Sequence, residues 1–135
     1  MNAAGEIVEH HRFIESWLRG TAAATAVAGF LDMHAPDFTW YDPDGTLHTL
    51  PDLSPAMGKA HGTAPGLRLR IREPRVLLEA DGMVVATYEE HHHHEEQRRH
   101  EARRAVAILV PDPGARHGLR WRHLHETWIV PGGAP

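Results

Sequence analysis

The sequence contains no cysteine among its 135 residues. This absence excludes a disulfide-stabilised scaffold and a zinc site with cysteine ligands, and it fits a reducing compartment. A long apolar run is also missing, because the most apolar segment, TAAATAVAGFLDM at 21–33, is too short and too rich in alanine to cross a bilayer. The N-terminal residues show neither a basic region nor an apolar core. We therefore expect no signal peptide and a cytoplasmic protein.

An excess of positive charge is missing as well. The chain has 14 lysines and arginines against 18 acidic residues, and this net charge of −4 argues against a nucleic-acid partner. Histidine, by contrast, is abundant. Protonation of all 13 histidines would change the net charge from −4 to +9. Solubility should therefore depend on pH between roughly 5 and 7.

The remaining composition is that of a globular protein, with 41% hydrophobic and 24% charged residues. The length fits one domain over 1–135, with an ordered core at about 6–130 and a tail at 131–135.

Helical periodicity marks the first third of the chain. Ile7, His11, Ile14 and Leu18 recur at helical spacing, which predicts an amphipathic helix over 6–19. Thr21 is predicted to cap a second helix. The segment DPDG at 42–45 predicts a turn between two short strands, and a short helix is expected within 51–62, capped by residue 52 or 54.

Strand alternation marks the second half of the chain. LRLRIR at 67–72 alternates apolar and basic residues, and Glu73-Pro74 should interrupt this strand. Asp81-Gly82 predicts a tight turn, after which three further strands are predicted at 83–94, 103–111 and 119–130. Helices followed by an antiparallel meander predict an α+β fold, in which N-terminal helices pack on one face of a curved antiparallel sheet as a sandwich or a cone.

The order of elements and three segments carry a family resemblance. The segments are HAPDFTWYDPDG at 34–45, VVATYEE at 84–90 and GLRWRHLHETWI at 118–129. Together they resemble the nuclear transport factor 2-like superfamily, also called SnoaL-like or cystatin-like, over about 6–129. The resemblance implies a cone whose mouth holds small hydrophobic ligands, and frequent dimerisation through the sheet. The superfamily includes ketosteroid isomerase, scytalone dehydratase, limonene epoxide hydrolase, polyketide cyclases and non-catalytic dimerisation modules, so the fold assigns no reaction.

Four residues are candidates for catalysis. His123 and His125 alternate on the last strand and should share one face, where they could line the pocket, transfer protons, or bind a metal with a third ligand. Tyr88 could donate its hydroxyl to a ligand or pack in the core. Asp42 could act as a base, although its DPDG segment is typical of a turn.

Four further residues are candidates for ligand contact: Trp40, His61, Trp121 and Trp128. We expect no cofactor, and His123 and His125 are only weak candidates for metal ligation.

The histidine run EEHHHHEEQRRHE at 89–101 is the least usual segment. As a strand it would place His91 and His93 on one face and His92 and His94 on the other. A turn at 97–98 would set His94 opposite Glu101 and His92 opposite residue 103. The segment therefore predicts a polar, mostly exposed hairpin tip, where nickel or zinc binding would be adventitious.

The family resemblance implies binding of a small, mostly apolar molecule in the cone pocket. Together with titratable side chains on the predicted pocket strands, it also leads us to expect isomerase-, dehydratase- or cyclase-type proton transfer. One alternative is a non-catalytic homodimerisation or scaffold module. A second is a metal-dependent site on the last strand. The expected partners are a small-molecule ligand and a second copy of the chain through the sheet, without nucleic acid or membrane.

Overall fold

The structure is a computed structural model that describes residues 1–132; residues 133–135 of the predicted tail lie outside the described residues. Three α-helices and six strands follow one another along the chain. The helices are α1 (Ala3–Arg19), α2 (Val27–Leu31) and α3 (Leu50–Ala60), and the strands are β1 (His34–Tyr41), β2 (Leu47–Thr49), β3 (Leu67–Ala80), β4 (Met83–His94), β5 (Arg99–Pro111) and β6 (Leu119–Val130). No helix within residues 1–132 is long and apolar enough to cross a membrane.

The six strands form one open sheet in the order β2-β1-β6-β5-β4-β3. The four strands from β3 to β6 form the predicted antiparallel meander, and the predicted α+β fold is confirmed. The sheet is mixed rather than wholly antiparallel, because β1 pairs in parallel with β6. This pairing is possible because the long chain segment between the two strands can return to the same end of the sheet.

Helix α1 begins and ends at clear capping signals. The side chain of Asn2 accepts a hydrogen bond from the Gly5 N–H at 2.9 Å, so the helix starts three residues before the predicted Glu6. Gly20 ends the helix with φ at 83°, a conformation that glycine adopts without steric cost. The helix packs through Ile7 and Trp17, which are 1% and 2% exposed.

Two short elements differ from their predicted start. Thr21 does not cap α2, which instead follows a 3₁₀ turn at Ala24–Ala26 and has only five residues. Helix α3 begins after Thr49, whose side chain forms a capping box with Asp52, rather than being capped by Asp52 or Ser54.

The long strands contain the predicted irregularities. The pairing of β3 with β4 shifts between Arg72 and Arg75, where Glu73 has φ at 52°. The predicted turn at Asp81-Gly82 joins the two strands.

The β4–β5 hairpin has a different register from the predicted one. The turn covers residues 95–98, so His94 pairs with Arg99 and His92 pairs with Glu101. The predicted pairing was wrong by two residues because the connection has four residues instead of two. The division of the histidines between two faces holds, but His91 and His92 are buried rather than exposed.

Strand β6 contains a β-bulge that the alternation pattern did not predict. Ile108 pairs with His123 and Leu109 pairs with Trp121, so Arg122 is inserted between the two pairs. One inserted residue reverses which side chains face the core. Trp121 faces the core before the bulge, and Leu124 and Glu126 face it afterwards.

Candidate functional site

A cavity of about 250 Å³ lies between the helices and the inner face of the sheet. Its helical wall is mostly apolar, and its sheet wall carries charged side chains from three neighbouring strands. The lining residues include Ile14, Leu18, Phe30, Phe38, Leu53 and Met57 on the apolar side, with His10, His11, His34, Trp40, Glu90, His92, Arg103 and Glu126 as the polar groups.

Strand alternation brings the charged groups together. Glu90 and His92 follow Tyr88 on the inner face of β4, and Arg103 lies directly opposite Glu90 on β5. Glu126 reaches the same face because of the bulge in β6.

His11 and Glu90 form a buried ion pair. The Nε2 atom of His11 lies 2.8 Å from a Glu90 oxygen, and its Nδ1 atom lies 2.8 Å from the Ile7 carbonyl oxygen. Both ring nitrogens therefore face acceptors, which requires the doubly protonated imidazolium. Burial opposes this charge, but the Glu90 carboxylate outweighs it and raises the pKa of His11. Burial likewise opposes the charge of Glu90, yet contacts with His11 and His92 hold its pKa well below the usual value.

The pKa of Glu126 is shifted upward, opposite to that of Glu90. Burial, followed by the negative charge of Glu90, raises the pKa of Glu126 to about 7. Its Oε1 atom accepts a hydrogen bond from the Trp40 indole at 2.7 Å and lies 3.5 Å from Nη1 of Arg103. Glu126 is thus a buried carboxyl group that gains or loses a proton near neutral pH.

Arg103 lies between the two glutamates. Its guanidinium group is 4.0 Å from Glu90 and 3.5 Å from Glu126, and it stacks over the Trp128 ring at 5.0 Å. Its buried Nε atom has no hydrogen-bond partner within the described chain. This donor is available to an oxygen atom of a bound molecule.

His10 and His34 form a neutral pair at the edge of the cavity. Their Nε2 atoms are 3.1 Å apart, and Nδ1 of His34 lies 3.0 Å from the Phe30 carbonyl oxygen. Burial lowers the pKa of His34 to about 4 and lowers that of His10 well below its usual value. His34 therefore donates from Nδ1 and accepts from His10 at Nε2.

Tyr88 lies just behind the cavity wall. Its side chain is 1% exposed, and its hydroxyl is 3.5 Å from Nε2 of His11. Burial raises the pKa of Tyr88 well above its usual value, so the phenol stays protonated. It packs against His11, and direct contact with a molecule in the cavity would need some rearrangement.

The structure places His123 and His125 away from this cavity. His125 is exposed on the outer face of β6, and Nδ1 of His123 bonds to the Thr39 hydroxyl at 2.7 Å. The prediction that they line the pocket is wrong because the bulge at Arg122 reverses the alternation. The described residues bring no third metal ligand to this pair.

Among the other predicted residues, Trp40 lines the cavity and bonds to Glu126. Asp42 holds the predicted turn: partial burial would raise its pKa, but hydrogen bonds from His48, Thr46 and Asp44 lower it. This side chain is therefore an ionised turn residue rather than a poised base.

The remaining three predicted contacts lie beside the cavity. His61 stacks on Trp17 and bonds to the Ala22 carbonyl oxygen at 2.9 Å. Trp121 is fully buried in the core, where its indole donates to Glu6 at 3.0 Å. The Trp128 ring stacks against the Arg103 guanidinium, and its indole donates a hydrogen bond to an oxygen of Asp44 at 2.9 Å.

The comparisons with known proteins address the fold. No family model matches the chain. The solved structure of a nuclear transport factor 2-like protein of unknown function from Pseudomonas aeruginosa superposes with a TM-score of 0.84 at 28% identity, covering 92% of this chain and 95% of that one. An uncharacterised protein with a cystatin-like fold from Caulobacter vibrioides has a TM-score of 0.65 at 16% identity, covering 94% and 89%.

The chain has a nuclear transport factor 2-like fold.

The same fold occurs in proteins of different kinds. The CaMKII hub of S. rosetta superposes with a TM-score of 0.68 at 15% identity, covering 95% of this chain and 98% of that one. A curated relative, sucrose-phosphatase 2 of Nicotiana tabacum, is 26% identical in an alignment that covers 93% of this chain and 30% of that protein. The chain thus spans less than a third of that relative's length.

Proposed function

We propose that this nuclear transport factor 2-like protein binds a small, mostly apolar carbonyl compound in the inner cavity and moves a proton on it. The observation that supports this proposal most directly is Glu126, a buried carboxyl group with its pKa raised to about 7, at the polar end of an apolar cavity. Groups that transfer protons work best when their pKa lies near the working pH. The cavity of about 250 Å³ is just below the roughly 300 Å³ at which ligand pockets usually begin, so the molecule would be small.

The neighbouring charges suit abstraction of a proton next to a carbonyl group. Ionised Glu126 would accept the proton from carbon, and the electron pair of the broken C–H bond would move onto the carbonyl oxygen. The unpartnered Nε–H of Arg103 and the positive charge of His11 would stabilise that oxygen. Return of the proton from Glu126 to a different carbon atom would give isomerisation. Transfer of that proton to a β-hydroxyl group, which then leaves as water, would give dehydration.

Opposite pKa shifts in two adjacent carboxyl groups support these roles. Glu90 stays ionised and fixes the charge of His11, whereas Glu126 exchanges its proton. Two carboxyl groups whose environments separate their pKa values are typical of a general acid–base site.

Exchange of α-hydrogens for deuterium tests the proposal without knowledge of the natural substrate. Small cyclic ketones, such as cyclohexanone and 2-tetralone, are incubated in D₂O near pH 7, and the loss of α-proton signals is followed by NMR. The protein should accelerate exchange, and Glu126→Gln should lower the rate at least about 100-fold, which is within the usual contribution of a general base.

His125→Ala is the matched control, since His125 immediately precedes Glu126 and lies on the opposite face of the same strand. This variant should exchange the ketones at the wild-type rate. Rates equal to those of buffer alone across the ketones would contradict the proton-transfer role. Equal losses in the two variants would contradict the assignment to Glu126.

Self-association is a second candidate function, as in a scaffold module. Val76, Leu77 and Leu78 on β3 are 51%, 61% and 56% exposed, although all three are apolar. Strand β3 is an edge of the sheet, where a second copy of the chain can add contacts. This candidate is compatible with ligand binding in the cavity, because the exposed residues lie on a different part of the molecule.

A further inference from the structure

The two faces of the β4–β5 hairpin each gather three residues that could bind a metal. His91, His93 and His100 meet on the outer face, and His92, His94 and Glu101 meet on the inner face. Both groups arise from the paired register of the two strands, in which His92 is directly opposite Glu101 and His93 is directly opposite His100.

From the inner group we propose a divalent transition-metal site formed by His92, His94 and Glu101. It borders the cavity, because His92 also belongs to the cavity wall. Two imidazoles and one carboxylate are a ligand set that zinc and iron accept, with further positions left for water or a ligand.

The spacing of the ligand atoms fits a shared ion better than direct hydrogen bonds. A Glu101 oxygen lies 3.5 Å from Nδ1 of His92 and 3.8 Å from Nε2 of His94. Both distances exceed the usual 2.7–3.2 Å of an N–H···O hydrogen bond. Two ligand atoms bound about 2.1 Å from one tetrahedral ion are about 3.4 Å apart.

His94 provides an independent sign that a ligand is needed. Its Nε2 atom is buried and has no hydrogen-bond partner among residues 1–132. Buried polar atoms of this kind are rare and commonly mark an ion or a water molecule.

The Glu90 carboxylate orients the imidazole of His92. Nε2 of His92 hydrogen-bonds to Glu90, which leaves Nδ1 directed at Glu101. Metal-binding histidines usually donate their second ring nitrogen to such a partner. The positive charges of Arg103, 3.7 Å from Glu101, and of Arg99 oppose a cation, and the two carboxylates offset them.

The outer group is less suited to a cation. His91 Nδ1 and His100 Nε2 already form a hydrogen bond of 3.0 Å with each other. Arg68 and Arg70 lie opposite His93 and His91 on β3 and surround this face with positive charge.

Calorimetric titration of untagged, chelator-treated protein with Zn²⁺ tests the site. Wild type should bind one equivalent, and His94→Ala should weaken binding more than about 100-fold, beyond the 10–100-fold typical of a supporting residue. Glu101→Gln, which keeps the side-chain size, should also lose most of the affinity. His93→Ala is the matched control and should bind like wild type, since it removes the neighbouring histidine of the outer face.

Thermal melts and cobalt spectra separate metal loss from misfolding. Zn²⁺ should raise the melting temperature of wild type and His93→Ala, but not that of a folded His94→Ala. Co²⁺ should give a visible spectrum that changes in His94→Ala and stays unchanged in His93→Ala. Absence of stoichiometric binding, or a greater loss in His93→Ala than in His94→Ala, would overturn the proposal. Equal losses in both would indicate adventitious binding to the histidine run and overturn it as well.

Discussion

At the scale of single residues, the site depends on how two glutamates differ in their surroundings. Glu90 contacts the imidazoles of His11 and His92, so its negative charge is matched at short range. Within residues 1–132, Glu126 accepts a hydrogen bond from the Trp40 indole and lies 3.5 Å from Arg103, and it also faces the charge of Glu90. Identical side chains therefore become a fixed anion and a titrating acid because of their neighbours.

The raised pKa of Glu126 predicts a pH-dependent cost in stability. Because the folded-state pKa of about 7 exceeds the unfolded value of 4.5, the folded state binds more protons between these values, and stability is lost as pH rises from about 4.5 to about 7. Glu126→Gln removes this loss while its amide oxygen can still accept from Trp40. The free energy of unfolding of the variant, relative to wild type, should rise by about 3 kcal/mol between pH 4 and pH 8, from the size of the shift.

Urea titrations across this pH range measure the difference. Glu79→Gln is the control, because Glu79 is an exposed carboxylate on β3. Its effect on the free energy of unfolding should stay constant with pH. A constant difference for Glu126→Gln would show that this carboxyl group is not perturbed.

Trp40 lines the cavity as the sequence predicted, whereas Glu90 and His92 were not predicted as site residues. The helical stripe placed His11 on the inner face of α1, and the alternation that included Tyr88 also extends to Glu90 and His92. Nothing in the sequence signalled the bulge at Arg122, so the same alternation assigned β6 to the wrong face and missed Glu126. One inserted residue is invisible to a period-two pattern yet changes every residue that follows it.

At the scale of elements, α1 positions His11 because a polar contact joins the helix to the sheet. Glu6 is 1% exposed, accepts from the Trp121 indole at 3.0 Å, and makes two bonds of 2.9 Å with Arg116 in the loop between β5 and β6. These contacts hold the start of α1 against β6 and the loop that precedes it. The helix and the strand that bear the site are therefore coupled.

Removal of Arg116 should weaken this connection. Arg116→Ala would leave the buried Glu6 carboxylate without its charged partner, which costs 3–5 kcal/mol for a fully buried pair. Because the Arg116 side chain is 31% exposed, we expect a loss of about 2 kcal/mol in the free energy of unfolding. Arg12→Ala, on the exposed side of α1, should change it by less than about 0.5 kcal/mol. Denaturant unfolding measures both variants, and equal small effects would contradict the structural role of Glu6.

At the scale of the molecule, the two faces of the sheet carry different sets of polar residues. The inner face carries the cavity with its ionised and titrating groups, and the outer face carries arginines and the second set of histidines. The histidine run contributes to both faces because alternate residues of one strand point in opposite directions. Its sequence predicted this division, but the burial of His91 and His92 depended on the register of the hairpin, which pattern alone did not determine.

The two edges of this sheet make self-association testable with one type of substitution. Edge strand β3 exposes three consecutive apolar residues, whereas the opposite edge strand, β2, exposes a single leucine, Leu47, at 48%. If β3 joins two copies, light scattering after gel filtration should give twice the 15.1 kDa of the chain, and Leu77→Glu should give the monomer mass. Leu47→Glu places the same charge on the other edge and should leave the dimer intact. A monomeric wild type would contradict self-association, and dissociation by Leu47→Glu alone would move the interface to β2. Retention of the dimer in Leu77→Glu would show that β3 does not form the contact.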